Sequence, residues 1–376
     1  LFSVQAVVDA VLLVTEGPAS HHRPVVTDED VLAIADQARR LDSYHYVNLL
    51  QERLKERMQV KHAVAVSSGS VALELALHLV GVKRGDNVLL PTLSFVAAAN
   101  AVVRIGATPV FVDAYGRDYG PDPIDILKCL FSNTGVFKPA AVIAVHLLGH
   151  PCSMPALLSI ADAYGVPVIE DAAEAIGSAI LNDPNRPTSR PCGSWGTVSV
   201  VSFNLNKVVT SGGGGALLTN DDELGAMAQH LATTARVAHP WLVEHDAIGW
   251  NHRMPMLSAA LCSEQVKRLD VLVKAKRGLA MAYKTAINGM DGVTFHEEPF
   301  GTFSNFWMPT ILVPSGERDA VLTALHDCGV MARAVFTPMH RLKMYQDGGG
   351  TFPVADEVFS RAVCLPASIE LARKFA

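Results

Sequence analysis

Between residues 62 and 219 short apolar runs alternate with longer runs of helical period. HAVAV (62–66) precedes SVALELALHLV (70–80), and NVLLP (87–91) precedes FVAAANAVVRI (95–105). ATPVFVDA (107–114), AAVIAVHLL (140–148) and PVIEDAA (167–173) read as further strands, with a helix at MPALLSIADAYG (154–165). Short buried strands separated by amphipathic stretches are the pattern of βαβ units, so the spacing predicts a mostly parallel sheet with helices on both faces. TVSVVSFN (197–204) and ALLT (216–219) form two more strands around a polar stretch that holds Lys207 and the run Gly212 to Gly215. Ahead of this region lie three helices: VVDAVLLV (7–14), VLAIADQARRL (31–41), capped by Thr27 or Asp28, and LLQERLKERM (49–58). Beyond residue 250 come a long amphipathic helix over 257–283, a strand over 306–313, a helix over 319–329 and a closing strand within 359–368.

Composition narrows the class. At 376 residues the chain has room for two domains at roughly 150 residues each. With 49% hydrophobic and 18% charged residues it reads as an α/β enzyme and not as a disordered chain. A net charge of −6 argues against a nucleic acid partner, which a basic excess would normally accompany. Six scattered cysteines without a CxxC pair or zinc spacing point to reduced thiols, no metal and a cytoplasmic location. The apolar piece 7–14 is too short to span a bilayer, so no membrane association is expected. The first residue is not Met, which suggests a trimmed start or a fragment.

In sheets of this kind ligands bind beyond the carboxyl ends of the strands, so the residues that follow each strand carry the chemistry. After HAVAV come Ser67, Ser68, Gly69 and Ser70 at a helix start. Free N–H groups and small side chains there suit a phosphate, and equally an ordinary serine cap. Neither a P-loop nor a dinucleotide fingerprint occurs. After NVLLP, Phe95 is either a stacking face for a planar ring or a core aromatic. His146 ends another strand and either lines a site or is satisfied in the core. Asp171 ends a buried strand, with Glu174 three residues on. A carboxylate in that position needs a cationic partner, an arginine or a protonated ring nitrogen. Lys207 beside four glycines suits a solvated loop or tight hairpin, but also a lysine approached closely by a cofactor. Taken together, a phosphate cradle, a flat aromatic, an acid and a lysine match the needs of pyridoxal 5'-phosphate. Its aldehyde requires an amine, its phosphate neutral donors, its ring a stacking face and its pyridine nitrogen an anion.

The ordered segments SSGSVAL, PTLSF, IEDAAEAIG, SFNLNKVVTSGGGG and GWNHRMPMLSAAL (249–261) resemble the DegT/DnrJ/EryC1/StrS family of sugar aminotransferases over nearly the whole chain. Within it, SFNxNK followed by glycines is most similar to the legionaminic-acid-type branch that aminates UDP-4-keto-6-deoxy-HexNAc. The resemblance implies fold type I of the pyridoxal phosphate transferases: an N-terminal segment and large cofactor-binding α/β domain over 1–250, and a small α+β domain over 251–376. It makes Lys207 the cofactor-holding lysine, Asp171 the partner of the ring nitrogen and Glu174 the residue near the 3-hydroxyl. Gly69, Ser70 and Ser202 become phosphate ligands, Phe95 the stacking aromatic, and Asn251 a residue that reaches the phosphate of a neighbouring subunit, hence a homodimer with shared sites. Ping-pong transfer from L-glutamate to a nucleotide-linked keto sugar follows, with His146, Arg333 and His340 as substrate residues. The acceptor ketone is C4, or alternatively that of a 3-keto sugar, a cyclitol or a keto-octulosonate; a reading from another class is a non-catalytic cofactor-binding paralogue. One segment departs from the family pattern: 40–48 lacks the usual glycine and carries Tyr44, His45 and Tyr46, which bears on substrate choice.

Overall fold

The computed structural model describes residues 2–375 apart from 21–22, 41–42, 133–137 and 182–188. In the proline-rich stretch 181–196, which the sequence marks as a surface loop, residues 182–188 lie outside the described residues. Three helices come first: α1 (Val4–Thr15), α2 (Asp28–Arg39) and α3 (His45–Met58). Thr27 caps α2, and its N–H donates back to Asp30 at 2.8 Å, a reciprocal cap that fixes the helix start. The alternating region then gives β1 (His62–Val66), α4 (Gly69–Leu79), β2 (Asn87–Pro91), α5 (Ala97–Arg104), β3 (Thr108–Val112) and α6 (Pro123–Phe131). It continues through β4 (Pro139–Val145), α7 (Met154–Ala163), β5 (Val168–Asp171), β6 (Val198–Ser202), β7 (Gly215–Thr219) and α8 (Asp222–Ala232).

The seven strands form one sheet in the order β1-β7-β6-β5-β4-β2-β3. All pairings are parallel except those of β7, which runs antiparallel to β1 and β6. Every residue of β5, β6 and β7 is buried, as expected of strands covered on both faces. One face is filled by Leu73, Leu77 and Val102 from α4 and α5 against Val66, Ile143 and Leu217. The other packs Leu50, Leu54 and Met58 of α3 against Ala63, Val201 and Leu218. Because β7 is reversed, its first residue lies at the same edge as the last residues of its neighbours: Gly215 pairs with Val66 on one side and Ser202 on the other. The loops after β1, β2, β4, β5 and β6 therefore converge with the start of β7.

The remaining chain supplies α9 (Met256–Lys267), α10 (Leu269–Ala286), α11 (Arg318–Asp327) and α12 (Pro353–Arg361). It also supplies an antiparallel sheet in the order 294–295, 310–312, 362–364, 333–334. Two expectations are corrected here. The helix expected over 257–283 is broken at Arg268, whose guanidinium is held at 2.5 Å by both Thr27 and Asp30. The strand expected over 306–313 is only 310–312, because residues 304–307 are engaged in contacts to the large sheet's loops described below. Although it precedes the large sheet in sequence, α1 packs with the second unit: Val7, Val11 and Val14 share a core with Leu279, Tyr283, Val321 and Leu325. All six cysteines are free, and no described helix is long and apolar enough to cross a membrane.

Candidate active site

At the carboxyl edge of the sheet a 280 Å³ cleft is lined by Gly69, Ser70, Phe95, Asp171, Glu174, Ser202, Lys207, Arg333 and neighbouring residues. Each side chain arrives on its own element. Ser68 caps α4 by accepting from the Val71 N–H at 3.2 Å, and the helix's first residues, Gly69 and Ser70, line the cleft edge. Ser202 closes the cradle. A Cβ on Gly69 would lie 2.9 Å from the Ser202 Cβ, and one on Gly215 would meet the Gly69 nitrogen at 2.6 Å. Glycine is thus required for strand and helix to approach this closely, and the space so created is bounded by backbone N–H groups and a serine hydroxyl, a donor set suited to a phosphate.

Asp171 ends β5 and is buried, accepting from the Ala173 N–H at 3.0 Å. Burial raises its carboxyl above the ordinary value, while the Ala173 N–H and Lys207 pull the other way. Glu174 is in the same condition: burial raises it, opposed by Lys207 and by the Leu148 N–H, which donates to Oε2 at 2.8 Å. Leu148 holds a left-handed conformation (φ 59°, ψ 11°), a strain accepted where its N–H serves a buried carboxylate. Lys207 Nζ lies 3.5 Å from Glu174 Oε1 and 4.2 Å from the Trp307 ring centre, and the lysine side chain is only 9% exposed. Two buried carboxyls thus share one lysine, an arrangement that a further cation over Asp171 would complete. A protonated pyridine nitrogen is such a cation, and the residues present fit pyridoxal phosphate.

Phe95 is 52% exposed over the cleft, its ring 5.4 Å from that of Phe336. Arg333 reaches the cleft from the small sheet, its guanidinium 5.0 Å from the Phe336 ring centre, with Nη2 donating to Met308 Sδ at 2.9 Å and Nε without a hydrogen-bond partner among the described residues.

Two predicted substrate residues stand elsewhere. His146 is fully buried behind Asp171 because both its nitrogens are engaged: Nδ1 accepts from the Cys152 N–H at 3.0 Å and Nε2 meets Glu170 Oε1 at 2.8 Å. Glu170 also accepts from the N–H groups of Gly193, Trp195 and Gly196 and from the Ser199 hydroxyl. Burial opposes ionisation of this carboxyl, but His146 and these donors outweigh it and hold it below its ordinary value. The approach of His146, Glu170 and Cys192 is accordingly a hydrogen-bonded support for β5. His340 lies between Thr92 (2.8 Å) and Asp356 (3.1 Å), away from the cleft lining. Asn251 is exposed, two residues before Arg253, whose guanidinium sits 4.0 Å from the Tyr44 ring centre.

Sequence reasoning missed Trp307, which falls in the expected strand 306–313, Phe336 and Asn305 as site residues. The Asn305 amide donates to the Glu174 and Ile176 carbonyls at 2.9 Å each, fixing the segment that follows β5.

Sheet order, strand-edge cleft and donor set define a pyridoxal phosphate-dependent aminotransferase of fold type I. The chain belongs to the DegT/DnrJ/EryC1/StrS aminotransferase family, whose sequence profile matches residues 26–375. It is 34% identical over 329 residues to GDP-perosamine synthase of Vibrio cholerae, covering 86% of this chain and 85% of that one. It is 35% identical over 317 residues to UDP-N-acetyl-3-dehydro-alpha-D-glucosamine 3-aminotransferase of Acidithiobacillus ferrooxidans, covering 83% and 80%. Among solved structures, the aminotransferase TlmJ of Streptoalloteichus hindustanus superposes with a TM-score of 0.85 at 27% identity, covering 95% of this chain and 98% of that one. The expected family and fold are therefore met, whereas these relatives do not single out the UDP-4-keto-6-deoxy-HexNAc branch.

Proposed function

We propose that the protein moves the amino group of L-glutamate to a nucleotide-linked keto sugar, at C4 of an NDP-4-keto-6-deoxy-hexosamine, in two half-reactions through Lys207. The observation that carries this reading is the position of Lys207 Nζ: buried, 3.5 Å from Glu174, and opening on a cleft that also holds Asp171 and the Gly69–Ser202 cradle. When bound, pyridoxal phosphate supplies an amine-capturing aldehyde and an electron-withdrawing ring. Lys207 would hold it covalently, and its Nζ would take the proton from the donor Cα. Asp171 would keep the ring nitrogen charged, Glu174 would reach the ring's 3-hydroxyl, and Phe95 would offer a stacking face. Gly69, Ser70 and Ser202 would hold the phosphate, and Arg333, whose Nη2 donates to Met308 Sδ, brings a cation to the cleft for an anionic group of donor or sugar nucleotide.

A second copy completes the site in this reading. Trp241 and Ile248, 80% and 90% exposed, lie in the segment leading to Asn251 and give an apolar surface for such a copy. Mixing Lys207→Ala with Asn251→Ala chains then restores about a quarter of wild-type activity if each site draws on both subunits. Six unpaired cysteines support a reducing, cytoplasmic setting.

The acceptor is tested by loading the protein in its amine form and screening keto sugars for return of the lysine-bound cofactor's absorbance. NDP-4-keto-6-deoxy sugars are expected to restore it. The relative named as a 3-aminotransferase favours one alternative, a UDP-linked 3-keto sugar, and a response to that compound alone would move the ketone to C3.

A further inference from the structure

Lys276 is the least expected charge in the molecule. It is 3% exposed on α10, and among the described residues no carboxylate pairs with it; its Nζ donates instead to the carbonyls of Trp307, at 2.8 Å, and Ala367. Burial pulls its ammonium down to about 7. A buried charge of this kind costs stability that a methionine of similar length would not, so its presence calls for a role beyond packing.

Its partner suggests the role. Trp307 is buried, its indole Nε1 donates to the Asn206 carbonyl at 2.7 Å, and its ring face lies 4.2 Å from Lys207 Nζ. Lys276 thus grips the backbone of the tryptophan whose side chain grips both the residue before Lys207 and the reactive amine. Lys276 also shares a narrow cleft with Leu205, Asn206 and Lys207 themselves. We propose that Lys276 is a positioning residue for Lys207, acting through Trp307, which holds the amine at the mouth of the cleft before cofactor capture and receives it again when the donor displaces it. The proposal rests on the assignment of Lys207 as the cofactor-holding lysine.

The test compares wild type with Lys276→Met, Lys276→Arg, Trp307→Phe and the double variant Lys276→Met/Trp307→Phe, each checked for cooperative unfolding. In cofactor-free protein, the rate at which an acetylating reagent caps Lys207 is measured against the exposed Lys61. Loss of the brace is expected to speed capping about tenfold in Lys276→Met and Trp307→Phe. In loaded protein the glutamate half-reaction is expected to slow about tenfold with the sugar KM unchanged, Lys276→Arg recovering most of the loss. The double variant should be no worse than the poorer single one, because both act through one contact chain. Wild-type rates in a folded Lys276→Met, or additive losses in the double variant, overturn the proposal. If Lys276→Met does not fold, unchanged capping in Trp307→Phe overturns it. Failure of wild type to hold the cofactor on Lys207 would instead sink the assignment of that lysine, and the capping rates distinguish the two cases.

Discussion

Two parts of the molecule meet at the cleft, and they were unequally visible in the sequence. The loops at the carboxyl edge of the large sheet each follow an apolar strand, so Gly69, Phe95, Asp171 and Lys207 stand where a change from apolar to polar residues marks the end of a strand. The strap at 304–307 comes from the second unit and reaches the same place through backbone and amide contacts: Asn305 to the segment after β5, Trp307 to the lysine loop. In sequence Phe306 and Trp307 merge with the apolar run that follows and read as strand, with Ser304 and Asn305 just before it. The contrast teaches that residues which present chemistry are marked by local pattern, while residues which hold them in place are marked only by contacts made far along the chain.

Substitutions on the two sides should separate accordingly. Lys207→Ala is expected to reduce amino transfer by at least about 10³-fold while leaving the unfolding temperature close to wild type, since in the proposed function it removes the group that holds cofactor and proton. Retained activity in a stopped-flow glutamate half-reaction would break the distinction. Asp171→Asn comes next, at roughly 10²-fold to 10³-fold, because a neutral amide cannot keep the ring nitrogen charged; the spectrum of the bound cofactor reports that protonation directly. On the strap, Asn305→Leu strands two buried carbonyls and should cost about 2–3 kcal/mol in denaturant unfolding, with weaker cofactor retention as a consequence. Gly69→Ala falls between the two classes. Its new Cβ meets Ser202 at 2.9 Å, so about 1–2 kcal/mol of strain should appear as loss of cofactor affinity, measured by equilibrium dialysis, more than as loss of activity at saturation.

The effect that is smallest at neutral pH, and that grows only in acid, concerns neither loop nor strap but the histidines packed beneath them. His150 and His296 are buried, 4.5 Å apart, with three ring nitrogens unpartnered among the described residues. Burial lowers His150 to about 3 and His296 well below its ordinary value. Above pH 6.5 both are neutral whether the chain is folded or not. Below it the unfolded chain binds protons that the folded chain refuses, so stability falls as the pH drops from 6.5 towards 3, by about 1.4 kcal/mol per unit for His150, with His296 acting in the same direction. His150→Phe should flatten that acid slope in pH-resolved unfolding curves.

What the sequence could not show has physical causes. The sheet was legible because buried parallel strands are continuously apolar and the helices between them amphipathic. His146 was ambiguous because a histidine at a strand end faces either side of the sheet; here Glu170 and the Cys152 N–H decide, both set by tertiary contact. His340 follows the same rule, drawn by Thr92 and Asp356. The break at Arg268 was hidden because the apolar period continues through it, the partner that interrupts the helix being some 240 residues away in sequence. Lys276 carries no local signal at all, being one lysine among several on an amphipathic helix.

The most direct measurement is to reduce the cofactor-loaded protein with borohydride and map the modified peptide by mass spectrometry. The cofactor should be found on Lys207 in a peptide spanning the segment between β6 and β7. Its recovery on another lysine, Lys276 included, or on none, would contradict the account.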